Sequence, residues 1–247
     1  MELVHYAVDD AVATITLDSP HNRNALSKQL VTELFGHLRV AAADDAVRVV
    51  LIASAGKVFC SGADLSEATA DGMEEGAKRI VELQRLIVSM DKPVVVRAFG
   101  AVRAGGIGIV AAADVAIANE SATFALTEVK LGLAAAIISL TVHHRMSPRA
   151  AALTTLGGEV FGGADAAAYG LVTMAVPDEE IDERVAAVCH SLATGAPQGL
   201  RESKQILNAD LIARIDERGA DMAALSARLF ASDEARDAMT AFLSRKR

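Results

Sequence analysis

Phe59-Cys60-Ser61-Gly62-Ala63-Asp64-Leu65 and Arg103-Ala104-Gly105-Gly106-Ile107-Gly108, the second running into an alanine-rich segment that ends at Asp114, decide how this chain is read. Each stretch reads as a strand that breaks into a turn of small residues and opens a helix. Small residues let a ligand approach the main chain, and a helix start leaves backbone N–H groups unpaired. Two such turns can aim two donors at one oxygen, which is how an oxyanion hole is built.

Outward from these turns the pattern is α/β. Residues 11–17 alternate with β-branched side chains before the turn-like Asp18-Ser19-Pro20-His21-Asn22, which predicts a strand. A helix is expected from Ser27, with Leu30, Val31, Leu34, Leu38 and Ala41 at helical spacing until Asp44-Asp45. Residues 47–53 are almost continuously apolar, as in a parallel strand covered on both faces. Residues 66–76 are polar, acidic and glycine-containing and read as a mobile loop. Helical spacing returns over 77–90, and Pro93-Val94-Val95-Val96 is the next strand. Strand, turn and helix thus recur before Asp114, which predicts right-handed crossovers, parallel strands and both ligand turns at one sheet edge. After Pro177 the chain turns helical and charged, with candidates at 184–192 and 200–207.

With 247 residues, 52% hydrophobic and 23% charged, the chain can bury a substantial core, and one body with a smaller helical appendage is expected. A net charge of −8 and the lack of a basic run with interleaved aromatics argue against nucleic acid as a partner, so any anionic ligand must be held locally. Cys60 and Cys189 have no metal-ligand spacing and suit a reducing, cytoplasmic setting. The first residues lack a basic region followed by an apolar stretch, so the N-terminus reads as mature. The apolar runs near 107–113 and 131–142 fall short of the about 20 residues a bilayer requires, and no membrane association is expected.

The motif Phe59 to Leu65, the glycine turn ending at Asp114, and Thr127-Glu128-Val129-Lys130-Leu131-Gly132-Leu133 stand in the order and spacing of the crotonase superfamily. The chain resembles the enoyl-CoA hydratases and isomerases of that group. The likeness runs from 11–17 and Asn24-Ala25-Leu26 through Tyr169-Gly170-Leu171-Val172 to Phe242, nearly the whole chain. The resemblance implies a ClpP/crotonase-like spiral of ββα units over 1–190. It also implies a C-terminal helical trimerisation region over 191–247, whose helices pack on neighbouring subunits of a trimer or a dimer of trimers. The implied ligand is an acyl-CoA or enoyl-CoA thioester of fatty-acid metabolism, with no metal or redox cofactor.

By position in the motifs, the resemblance puts the two oxyanion donors on the main-chain N–H groups of Ala63 and Gly105. Ser61, Gly62, Asp64, Leu65, Gly106, Gly108 and Leu131 are expected to shape the substrate site around them. Arg23, before Asn24-Ala25-Leu26, and Lys57, before the first turn, are candidates for the CoA phosphates, and Lys246 for a neighbouring subunit's ligand. Glu128 is the expected acid/base; set among Phe124, Leu126, Val129 and Leu131, it should be partly desolvated and its pKa raised.

The departures from the pattern carry as much information. Two-glutamate hydratases have their first carboxylate on the helix opened by the glycine turn, at the position of Gly108 here. One glutamate can still move a proton between the α- and γ-carbons of a 3-enoyl thioester, so double-bond isomerisation is the favoured chemistry. The alternatives are a 2-enoyl-CoA hydratase in which Asp64 or Glu67 substitutes for the missing carboxylate, and a non-catalytic acyl-CoA carrier. Ala134-Ala135-Ala136 replaces a Pro/Gly-rich loop, and the segment is expected to continue as helix and reshape the acyl pocket. Adjacent His143 and His144 point in different directions on a helix and read as structural, Cys60 reads as a packing residue, and Asp114 as a structural residue closing a turn.

Overall fold

The computed structural model describes residues 1–67 and 70–244. Its strands form two sheets. The larger runs in the order β1 (Val4–Asp9), β2 (Val12–Leu17), β3 (Val49–Ser54), β5 (Val94–Ala98), β7 (Val115–Asn119) and β10 (Met174–Val176). The smaller is β4 (Val58–Cys60), β6 (Ala101–Arg103), β8 (Thr123–Ala125) and β9 (Phe161–Gly162). Three successive units each give one strand to either sheet and then a helix. They are β3, β4 and α2 (Ala70–Ser89); β5, β6 and α3 (Gly105–Ala112); and β7, β8 and, after a 3-10 turn at Thr127–Leu131, α4 (Ala136–Arg145), with α5 (Pro148–Gly157) and α6 (Gly163–Ala168) next in the chain. Neighbours in this spiral pair in parallel, while β1 with β2 and β8 with β9 pair antiparallel.

The residue patterns explain these elements. β3 is apolar on both faces because Val50 and Ile52 join the main core while Val49 faces a second core beneath α7 (Ile181–Ala193), with Val95 and Ile117 beside it. α1 (Lys28–Ala43) begins where predicted: the Ser27 hydroxyl accepts the Leu30 N–H at 3.2 Å, and Leu30, Val31, Leu34, Leu38 and Ala41 are buried.

One expectation is corrected. The stretch expected as a loop over 66–76 holds a 3-10 turn at Leu65–Glu67, and α2 already begins at Ala70; residues 68 and 69 lie outside the described residues. Its polar character marks a solvated helix face, on which Glu74 and Lys78 pair at 2.7 Å one turn apart.

The late helices pack on this chain's own body. α8 (Pro197–Phe230) is a single helix of 34 residues lying along α2 and α4, and α9 (Asp233–Ser244) turns back onto the 3-10 turn at 127–131. The contact is close because Gly219 has no side chain; a Cβ there would lie 2.7 Å from Val81 Cγ1. The 190/191 position falls inside α7, within one continuous helix. Among the described residues no helix is long and apolar enough to cross a membrane.

Candidate active site

β4 and β6 lie side by side and parallel, with Cys60 opposite Val102, so the turns that follow them emerge at the same edge of the smaller sheet. They touch: a Cβ on Gly62, whose φ is +98°, would lie 3.1 Å from Ala104 Cβ. The first turn is fixed by Leu26, whose N–H donates to the Gly62 carbonyl at 2.8 Å. At the second, Ala104 adopts φ 45° and ψ −118°, a conformation that costs an L-residue about 1–3 kcal/mol. Its carbonyl accepts the Ile107 N–H at 2.8 Å, so the sharp corner starts α3 and leaves the Gly105 N–H unused. A Cβ on Gly105 would lie 2.6 Å from Leu26 Cδ1, so a larger residue there would have to push that side chain aside.

Neither the Ala63 nor the Gly105 N–H has a hydrogen-bond partner among the described residues, and both residues line one cavity of about 580 Å³. Glu128 lines it too. Carried on the 3-10 turn after β8, Glu128 is half-buried, and its Oε2 is enclosed without a hydrogen-bond partner. Burial raises its pKa above the usual glutamate range, with its own backbone N–H opposing in part. Gly132 ends this turn in the left-handed region, and α9 braces it from outside, Ala235 Cα lying 3.1 Å from where a Gly132 Cβ would sit. Ala134, Ala135 and Ala136 line the cavity. They do not extend the preceding helical turn: the chain turns at Gly132 and α4 starts only at Ala136, because the left-handed Gly132 breaks the helical path.

The other candidates fall into distinct places. Beside Gly108 there is no vacancy: a Cβ there would lie 2.6 Å from Ile138 Cγ2 and 3.3 Å from Gln84 Oε1. Gln84 is fully buried, accepts the Thr141 hydroxyl at 2.7 Å and donates to the Ile80 and Ile137 carbonyls at 3.2 and 3.1 Å. Gly106 sits against Cys60: a Cβ on it would lie 2.6 Å from Cys60 Cβ. Ser61 donates its hydroxyl to the Asn22 carbonyl at 2.9 Å, and Leu65 opens the Leu65–Glu67 turn; Leu131 is half-buried at the end of the Glu128 turn.

Asp64 lines the cavity, but Ser66 and then Asn22 hold its carboxylate by hydrogen bonds, and its pKa is lowered. Glu67 lines it as well and accepts the Lys28 N–H at 2.8 Å at the start of α1. Arg23 and Lys57 are exposed and stand outside the cavity wall, and Lys246 lies outside the described residues.

Cys60 is fully buried, with burial pushing its thiol up to about 12, so it carries no thiolate. His143 and His144 are exposed on α4, and no group of three or more potential metal ligands occurs among the described residues. Asp114 accepts the Val94 N–H at 2.8 Å, the Lys204 ammonium at 2.8 Å and the Asn208 amide at 2.9 Å, tying α8 to the sheet. Sequence reading missed Gln84 and Ile138. The only signal for Gln84 was its place on the apolar stripe of α2, between Ile80 and Ile87.

The enoyl-CoA hydratase/isomerase family model matches residues 7–247. A crystal structure of an enoyl-CoA hydratase from Mycobacterium avium is 45% identical and superimposes with a TM-score of 0.92, over 98% of this chain and 96% of that one. A Bacillus subtilis protein named as a probable enoyl-CoA hydratase is 30% identical over all of this chain and 98% of its own length. The 1,2-epoxyphenylacetyl-CoA isomerase of Escherichia coli is 29% identical over 84% of this chain and 82% of its own. With the two-sheet spiral, the paired turns and the matched length agreeing, the chain belongs to the enoyl-CoA hydratase/isomerase family of the crotonase superfamily.

Proposed function

We propose that this chain is an acyl-CoA-binding enzyme that stabilises a thioester enolate and isomerises the double bond of an enoyl-CoA, with Glu128 as its single acid/base. The observation that carries this reading is that Ala63 and Gly105, each with an unpartnered N–H, and Glu128, with one unpartnered, buried carboxylate oxygen, line the same cavity, while the space beside Gly108 is filled by Ile138 and Gln84. A 3-enoyl thioester places its carbonyl oxygen between the Ala63 and Gly105 amides. Glu128 takes a proton from the α-carbon, the electron pair moves into the C1–C2 bond, and negative charge collects on the oxygen. Each fixed donor is worth roughly 3–4 kcal/mol there, because it need not reorganise as the charge grows. Returning the proton to the γ-carbon shifts the double bond into conjugation and restores the carbonyl. The thioester supplies the acidified α-carbon, so the chemistry calls for no further cofactor.

The test follows the conjugated enoyl absorbance. It should rise when the protein meets a 3-enoyl-CoA and stay nearly constant with crotonyl-CoA. Rapid, Glu128-dependent loss of crotonyl-CoA absorbance would establish hydration instead, as the names of the relatives suggest. Binding of both esters without turnover or α-proton exchange in deuterated water would identify a carrier.

A further outcome concerns Gly108. Gly108→Glu alone is expected to destabilise the fold by about 1–3 kcal/mol through overpacking, without conferring hydration. Paired with Ile138→Ala, which clears the nearest contact, the same glutamate should yield measurable hydration of crotonyl-CoA. Hydration from the single variant would show that Ile138 is no obstacle.

A further inference from the structure

Arg79 is a cation on the cavity wall that the isomerisation chemistry does not use. It lies on α2, half-buried. Its Nη2 donates to the Thr32 hydroxyl at 3.2 Å, and its guanidinium carbon stands 6.0 Å from the centroid of the Phe35 ring. Its Nε is enclosed and has no acceptor. An enclosed guanidinium edge without an acceptor is costly, and the acceptor it suits best is a carboxylate or phosphate met along two parallel N–H bonds.

The protein does not supply that acceptor among its described residues. Asp64 is taken by Asn22 and Ser66, and Glu67 by the Lys28 N–H. Glu75, one turn before Arg79 on α2, is exposed and forms no ion pair with it. Lys28 lines the same cavity, also without an ion-pair partner among the described residues, and Thr32 links it to Arg79 by donating its hydroxyl to the Lys28 carbonyl at 2.6 Å. Two cations therefore stand on the wall of a cavity that also carries the carboxylates of Asp64, Glu67, Glu75 and Glu128, its other lining being largely apolar, with Val31, Ala77 and Ile80 among it.

We propose that Arg79, assisted by Lys28, receives a carboxylate carried by the acyl chain, so that the substrates favoured by this site are mono-CoA esters of dicarboxylic acids. The proposal rests on the acyl-CoA reading of the cavity. The chemical demand is an anionic oxygen group, which a CoA phosphate could also meet. The acyl end fits better, because Arg79 lines the cavity that holds Ala63, Gly105 and Glu128, whereas Arg23 and Lys57 stand exposed outside it, placed for phosphates.

The experiment is calorimetric titration of the full chain with pairs of esters of equal length, such as adipoyl-CoA against hexanoyl-CoA, extended to shorter and longer pairs, and with CoA alone. The intact protein should bind the carboxylate-ended member of at least one pair about tenfold more tightly. That ratio should collapse towards one in Arg79→Met, recover in part in Arg79→Lys, and persist in Glu75→Gln. No preference in any pair overturns the proposal even if no variant folds. A ratio unchanged in Arg79→Met, with all esters and CoA alone weakened together, overturns it in favour of a phosphate contact. Failure of the acyl-CoA reading looks different: neither member of any pair then binds.

Discussion

Glu128→Gln is expected to lower turnover of a 3-enoyl-CoA by about 10²–10⁴-fold, the range associated with a positioned acid/base, while leaving CoA-ester affinity within a few-fold of the parent. Glutamine keeps the shape and loses the proton-transfer function. Exchange of the α-protons with deuterated water should vanish in the same variant, because exchange needs only the first proton transfer. The pH profile carries a second signature. Burial raises the Glu128 pKa, and the carboxylate is the active form, so activity should rise with pH through a value above the usual glutamate range. Stability runs the opposite way. A carboxyl whose folded pKa is raised binds its proton more tightly when folded, so its stabilising contribution is present below the unfolded pKa and is lost as pH rises through the folded one. At neutral pH the variant should therefore melt no lower than the parent while being nearly inactive. A variant retaining more than about a tenth of the parental rate would remove Glu128 from the chemistry.

That carboxylate was legible in the sequence because its surroundings are local: Phe124 on β8 and Leu126 just after it precede it, and Gly132 ends the turn that carries it. The two amide turns were legible for the same reason, since each joins the end of a short strand to small residues that tolerate close contact. The filled space beside Gly108 was not legible. It depends on Ile138 from α4 and Gln84 from α2, and nothing local to Gly108 announces either. α2 was read short because the polar residues of its first turns look like a loop until the helix is seen to expose them.

The largest omission was α8, anticipated only over 200–207. Its buried residues are Lys204, Asn208, Leu211, Ile215, Gly219, Ala223 and Ser226, a stripe at three- and four-residue spacing. Only two of the seven are large and apolar, so a search for hydrophobic periodicity passes over it. Small residues are there because the helix approaches α2 closely, and polar ones because its first half reaches a buried charge. The same helix delivers Ser226 and Phe230 to the cavity wall, so the part of the site hardest to read is held by the residues least like a core.

That buried charge makes Lys204→Met the stability prediction of largest size. The Lys204 ammonium is buried and donates to the Ile87 carbonyl, the Lys92 carbonyl and Asp114 Oδ2, each at 2.8 Å. Burial pulls its pKa down, and Asp114 opposes that pull. Asn208 completes the junction, donating to Asp114 at 2.9 Å and to the Val88 carbonyl at 3.2 Å, while Arg145 donates to Asn208 Oδ1 at 3.3 Å. Removing one partner of a buried, hydrogen-bonded ion pair costs about 3–5 kcal/mol, since the other is left without its counter-charge. For a chain of this size that lowers the melting temperature by roughly 10 °C. Asp114→Asn should cost a similar amount by stranding the ammonium, and the double variant should cost clearly less than the sum, because the two residues share one interaction. With α8 loosened, affinity for CoA esters should fall in each variant even though Lys204 lies outside the cavity wall. A loss of only about 2 °C in Lys204→Met, or strict additivity in the double variant, would mean that α8 is held by its small-residue contact with α2 rather than by the charged junction.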